Sequence, residues 1–221
     1  MNIFDIIGPV MIGPSSSHTA GAVRLGNLAR NILGEEPEKA RIILYNSFAD
    51  TGKGHGTDKA LVAGLLGFLP DDEKIKVSFE YARKLGIEFE LVDGGARSDL
   101  HPNTAEFYLE GNSKTTRVLG SSVGGGRVVI FSIDGFKTEF SGEYYTVITI
   151  HKDMPGMIAQ VTTYLSKRKV NIAQMRVSRE ARGEKALMII ETDEALPERV
   201  KEELEKFEGI YKVMVIGVRL E

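Results

Sequence analysis

Gly13-Pro14-Ser15-Ser16-Ser17-His18-Thr19-Ala20-Gly21 is the stretch around which the chain is organised. Three consecutive hydroxyls and a histidine follow a Gly-Pro break. Behind them Ala22, Leu25, Leu28 or Ala29, and Ile32 recur at helical spacing, and Gly34 stands where a C′ residue would. The spacing predicts a helix over about residues 19–33, with the polar cluster on its N-terminus. At such an end the first backbone N–H groups lack intrahelical acceptors and the macrodipole is positive. The place suits a carboxylate or phosphate, with hydroxyls as extra donors and a histidine able to move a proton. The same residues also allow a plainer reading, in which a serine or Thr19 is an N-cap and His18 bonds only a serine of its own turn.

Upstream, Phe4, Ile6, Ile7, Val10 and Met11 suggest a short turn or strand. Downstream, a Glu/Pro/Lys connector leads into Arg41-Ile42-Ile43-Leu44-Tyr45, a short β-rich run that reads as a strand. Asn46 to Lys59 follows, with Gly52, Gly54 and Gly56 around Lys53 and His55. Thr57 and Asp58 then open a helix carrying Leu61, Val62, Leu65, Leu66 and Phe68. This predicts a second strand, glycine loop and helix. The loop matches neither the Walker pattern nor Gly-x-Gly-x-x-Gly, which argues against a nucleotide site.

A helix is expected near 73–85, stopped by Gly86, and then a half-buried strand over 87–92. Asp93-Gly94-Gly95 turns the chain towards His101-Pro102-Asn103, a histidine and a carboxamide about a proline-fixed φ. Residues 104–109 alternate as a strand. Ser121 to Gly126 reads as a strand with a tight turn, and Asp134-Gly135 closes a hairpin.

Near Gly142 the pattern changes. Strands are expected over 144–150, 170–177, 186–191 and 211–218. A helix carrying Met157, Val161, Tyr164 and Leu165 follows the turn Asp153-Met154-Pro155-Gly156, and a charged helix runs from Pro197 to about Phe207. The order is β-α-β-β-α-β, the ferredoxin-like arrangement. The fold class is therefore α/β (α+β), in two domains: a mixed α/β domain over 1–142 and a ferredoxin-like domain over 143–221.

Composition narrows the function. Of the 221 residues, 42% are hydrophobic and 27% charged, a globular balance, and the net charge of −3 supplies no general attraction to nucleic acid. No apolar run reaches the roughly 18 residues of a membrane span, and no basic-then-apolar leader opens the chain. A cytoplasmic protein is the expectation, with neither nucleic acid nor membrane as partner. Cysteine is absent, so no thiolate here can hold a metal or an iron–sulfur cluster.

Taken together, the Gly13–Thr19 run, Gly52-Lys53-Gly54-His55-Gly56-Thr57-Asp58 and His101-Pro102-Asn103 resemble the β chains of bacterial iron–sulfur L-serine dehydratases (L-serine ammonia-lyases). The three motifs occur in that family's order. The C-terminal domain is similar to an ACT module through Asp153-Met154-Pro155-Gly156 and Asn171-Ile172. The resemblance spans nearly the whole chain. It implies an N-terminal domain similar to the allosteric substrate-binding domain of some phosphoglycerate dehydrogenases. It also implies a two-part enzyme acting on L-serine, in which a cysteine-bearing α chain holds a [4Fe–4S] cluster as Lewis acid and this chain holds no metal. By the same resemblance His18, His101 and Asn103 are catalytic or substrate-orienting, and Ser15, Ser16, Ser17, Thr19, Lys53 and His55 are substrate-binding candidates. Asp153, Pro155, Gly156, Asn171 and Ile172 are the candidate ACT ligand group. ACT modules also self-associate, which makes a second copy an expected partner. The loop from 153 to 156 and the strand start at 171 are expected to lie close together and grip an amino acid.

Each candidate has another reading. His101 would serve as a buried turn residue, His55 as an exposed and idle one, and the ACT module as a dimerisation scaffold alone. His151 reads as structural. A stand-alone amino-acid-sensing regulator is the alternative function. A serine hydrolase on Ser17 and His18 fits poorly, since neighbouring residues do not readily form a nucleophile–base pair and no Gly-x-Ser-x-Gly elbow is present.

Overall fold

The helix behind the Ser-rich cluster forms as its spacing requires, and begins earlier than residue 19. Ser15, with extended φ of −139° and ψ of 123°, is its N-cap, and its Oγ accepts from the His18 amide at 3.2 Å. Ser16–Ala20 is wound as a wide π turn in which the Gly21 amide donates to the Ser16 carbonyl. Helix α1, Gly21–Leu33, continues it and stops at Gly34, whose φ is 77°. The apolar stripe Ala22, Leu25, Ala29 and Ile32 is fully buried. This computed structural model describes residues 10–217. The lead-in expected from Phe4, Ile6 and Ile7, and the end of the last strand at Val218, lie outside the described residues.

The chain divides into two compact units: one runs to Gly135 and takes in Glu139–Ser141, and the other comprises Phe136–Thr138 and the chain from Gly142. In the first, β1 (Pro37–Tyr45) pairs in parallel with β2 (Glu88–Asp93) and antiparallel with β3 (Thr104–Gly111). β4 (Thr115–Gly124), β5 (Arg127–Ile133) and β6 (Phe136–Phe140) extend the sheet to the order β2-β1-β3-β4-β5-β6. Asp134 and Gly135, at φ 50° and 89°, form the expected hairpin turn between β5 and β6. Helix α1 packs on β4, and Leu25, Phe107, Val118 and Ile130 are buried without exposure. Tyr45 registers with Thr104 and Thr104 with Ser121. The end of β1, the start of β3 and the end of β4 therefore share one end of the sheet.

The expected glycine loop is a helix. Asn46, at φ 52° and ψ −129°, turns the chain from β1 straight into α2 (Ser47–His55), which takes in Gly52 and Gly54. Neither of these two glycines adopts positive φ; Gly56 does, at 69°, and separates α2 from α3 (Thr57–Leu65). A single left-handed residue suffices to change direction, so the other two glycines are free to be helical. The helix expected near 73–85 begins as a 3₁₀ turn, Glu73–Val77, before α4 (Ser78–Lys84).

The second unit holds β7 (Tyr145–Lys152), α5 (Met157–Lys167), β8 (Ile172–Arg179), β9 (Lys185–Thr192), α6 (Val200–Leu204) and β10 (Ile210–Ile216). Its sheet order is β10-β7-β9-β8, with every neighbouring pair antiparallel, which is the ferredoxin-like topology. Val147, Met157, Val161, Leu165, Met188, Ile190 and Leu204 form its core. Helix α6 is shorter than the charged run from Pro197 to Phe207 suggested. His151 is structural, as expected: it is 2% exposed, its Nδ1 lies 3.0 Å from Thr149 Oγ1, and burial holds its pKa below the usual imidazole value.

One expectation about this unit is corrected. Lys152 registers with Lys185, whereas Tyr145 and Ile172 both register with Thr192. Asp153 thus follows one end of β7, and Asn171 precedes β8 at the other, roughly 23 Å of strand away. The helix α5 between them carries the chain back to the start of the sheet, which is why the two turns diverge. Asp153 Oδ2 accepts from the Gly183 amide at 3.0 Å and from Arg179 Nη1 at 3.3 Å. Asn171 Nδ2 donates to Asp193 Oδ2 at 2.6 Å, and its amide donates to Glu194 Oε2 at 2.7 Å.

Candidate active site

His18 stands in the π turn with both ring nitrogens in polar company. Nδ1 lies 3.4 Å from Ser15 Oγ. Nε2 lies 3.1 Å from Thr51 Oγ1 and 3.2 Å from Ser47 Oγ, both on α2. The ring sits edge-on to Phe48, with centroids 5.4 Å apart, and 5.0 Å from the ring of His55. Burial pushes the His18 pKa below the ordinary imidazole value, and charge on His55 pushes it the same way; a hydrogen bond to the Ser47 backbone opposes them. Both lowering effects favour the neutral ring, the form in which a histidine accepts a proton.

Contacts running from the first polar motif through Asn46 and Ser47 to the third close a ring. From His18 it passes to Ser47 and its neighbour Asn46. Asn46 Nδ2 donates to the carbonyls of Arg97 at 2.9 Å and of Leu100 and His101 at 3.3 Å, while its Oδ1 accepts from the Arg97 amide at 2.6 Å. His101 Nδ1 accepts from the Asn103 amide at 3.2 Å, so Nε2 carries the proton of the neutral ring. Asn103 Nδ2 donates to the Ser122 carbonyl at 3.4 Å, and the Ser122 amide donates to the Asn103 carbonyl at 2.9 Å. Ser122 Oγ then meets α1: a Cβ on Gly21 would fall 2.0 Å from it. Only a glycine lets the strand end approach that helix start so closely.

The remaining candidates divide. Ser15 touches His18 directly, while Ser16 and Ser17 are half-buried on the same turn. Thr19 is 2% exposed, and its hydroxyl has no hydrogen-bond partner among the described residues; the Ser122 and Thr57 hydroxyls, both at 0%, share that condition. His55 joins the cluster through the ring of His18, and its Nδ1 donates to the Thr51 carbonyl at 3.2 Å. The Lys53 side chain lies outside the described residues. Asn46, Ser47, Thr51 and Ser122 were missed as site residues. Ser47 and Thr51 are spaced i, i+4, one face of a helix, a signal hidden by reading the stretch as a loop.

No group of three or more His, Asp or Glu side chains among the described residues could hold a metal ion, and the chain has no cysteine. The donor set does not fit an iron–sulfur cluster held by this chain. No helix among the described residues is long and apolar enough to cross a membrane.

Comparison with known proteins identifies the family. Residues 2–85 match the family described as serine dehydratase beta chain, and residues 145–209 match the ACT domain. The probable L-serine dehydratase beta chain of Bacillus subtilis is 43% identical over 216 residues, covering 98% of each chain. The L-serine dehydratase beta chain of Peptoniphilus asaccharolyticus is 38% identical over 199 residues, covering 90% of each. A D-3-phosphoglycerate dehydrogenase of Methanocaldococcus jannaschii is 28% identical over 128 residues, 58% of this chain and 24% of that protein. With two relatives this similar from end to end, and its first two polar motifs inside the matched segment, the chain belongs to the serine dehydratase beta-chain family and carries an ACT domain at residues 145–209.

Proposed function

We propose that this chain is the β subunit of a two-chain L-serine ammonia-lyase, deaminating L-serine to pyruvate and ammonia with a cysteine-bearing α chain. The observation that supports it most is the ring of contacts joining His18, Asn46, Ser47, His101, Asn103 and Ser122 at one sheet end. Loss of water from serine requires an α-proton to be taken and hydroxide to leave; the resulting enamine tautomerises and hydrolyses to pyruvate and ammonia. His18, neutral and half-buried, takes the α-proton. The helix start and the hydroxyls of Ser15, Ser16, Ser17 and Thr19 hold the substrate carboxylate. His101, with its proton on Nε2, donates to the substrate and orients it beside Asn103; His55 flanks the site, and Lys53 is a further candidate for binding the substrate. A [4Fe–4S] cluster belongs to the α chain, because the residues here do not fit one.

Residues 1–142 form the domain that meets the α chain, and residues 143–221 the ACT domain, in a cytoplasmic enzyme. Asp153, Pro155 and Gly156 of one copy, with Asn171 and Ile172 of another, form the ACT ligand group, since a single copy holds them at opposite ends of its sheet. The test is reconstitution. The purified chain alone should bind no iron and form no pyruvate, and anaerobic mixing with the α chain should start pyruvate formation. A mixture that stays inactive with a cluster-loaded α chain, while the single chain binds an amino acid, would favour the stand-alone regulator instead.

A further inference from the structure

We infer that Thr51 is a positioning residue that holds His18 as its Nε2–H tautomer and so makes Nδ1 the basic nitrogen. The hydrogen-bond inventory on both sides of the ring leads to this. Thr51 has one hydroxyl proton, and its Oγ1 donates to the Ser47 carbonyl one helical turn back at 2.7 Å. With that proton committed, Thr51 Oγ1 meets His18 Nε2 at 3.1 Å as an acceptor, and Nε2 must carry the ring hydrogen. A bare Nε2 would set two lone pairs against each other. Ser47 Oγ, at 3.2 Å from Nε2, is free to accept a share of the same N–H.

On the other side, Ser15 Oγ already accepts from the His18 amide at 3.2 Å. Its own proton is free to point to Nδ1, 3.4 Å away, and a bare Nδ1 can receive it. The Thr51 side selects the tautomer, and the Ser15 side accommodates it. Thr51 is well placed for the task, because its backbone lies in α2 and its hydroxyl is pinned by the i−4 carbonyl rather than rotating. The titratable group facing the ring is His55, from the same helix.

The inference rests on the reading of His18 as the base, and its test separates the two. The ring nitrogens of His18 are assigned by long-range ¹H–¹⁵N correlation in the full-length chain, above the pH at which it protonates, with turnover followed in the complex with the α chain. The wild type is expected to show a protonated Nε2 and a bare Nδ1. In Thr51→Val, an isostere that keeps the packing, the Nε2–H signature should move towards the other tautomer. kcat should fall about tenfold or more, short of the roughly 10²- to 10⁴-fold expected for loss of the base itself. Thr51→Ser should restore both. A wild-type ring protonated on Nδ1, or nitrogen shifts unmoved in a folded Thr51→Val chain, would overturn the inference. Full turnover in His18→Ala would overturn its catalytic half and the base assignment together, while the nitrogen shifts would still decide whether Thr51 sets the tautomer.

Discussion

At the scale of single residues, His18 is set by three neighbours that are remote in sequence. Burial and the His55 ring both lower its pKa, so its neutral form persists to lower pH than that of a free imidazole. A base works only when neutral; with His18 as the proposed base, activity should be lost on the acid side as pH falls through its pKa, below the ordinary 6.5. His55→Gln removes one of the two lowering causes, and the acid limb of kcat/KM in the reconstituted enzyme should move to higher pH. A limb that stays in place or moves down would separate His55 from the site. His101→Ala should cost less kcat than His18→Ala, since the Asn103 amide already occupies His101 Nδ1 and leaves the ring only as a donor. The histidines were legible in the sequence, because few other side chains move protons near neutral pH. Their partners were not: Thr51 and Ser47 are ordinary residues until α2 brings them to His18, and Ser122 until Gly21 admits it.

At the scale of elements, periodicity marked α1, α5 and most strands because burial is one-sided there, as in the fully buried stripe from Ala22 to Ile32. It failed on α2, whose glycine-rich composition resembles a loop. Gly54, Gly56 and Gly21 separate by role. Gly54 has open space around a would-be Cβ and no positive φ, so Gly54→Ala should stabilise the fold by about 0.5–1 kcal/mol in denaturant unfolding. Gly56, at φ 69°, should lose about 1–2 kcal/mol as alanine. Gly21→Ala would force its Cβ to within 2.0 Å of a fully buried Ser122 Oγ, costing about 1–3 kcal/mol and displacing the strand end from the helix start. Equal effects at the three positions would contradict these separate roles. The placing of Asp153 near Asn171 failed for a topological reason. Motif spacing does not say which end of a sheet a crossover helix returns to; register does.

At the scale of the whole molecule, the βαββαβ order was readable because every element announced itself, and the register then turned the proposed ACT ligand group into one shared by two copies. If that holds, Asp153→Ala and Asn171→Ala should each abolish a serine-dependent change in sedimentation of the full chain. Mixing the two variants should restore part of it, because one interface then keeps both intact halves; no recovery would leave the ACT domain as scaffold only. The buried His151 gives this unit a pH signature. Its folded pKa lies below its unfolded value, so the unfolded state binds the extra proton first. Stability should fall as pH drops through about 6.5 and level off below the folded pKa, a trend that His151→Gln should flatten in denaturant melts. This cysteine-free chain is proposed to bring the base to a reaction it cannot complete alone. Pyruvate formation by the His18→Ala chain, mixed anaerobically with the α chain and checked by sedimentation for an intact complex, tests it most directly. The expected result is an assembled complex with kcat reduced about 10²- to 10⁴-fold; an assembled complex turning over at the wild-type rate would contradict it.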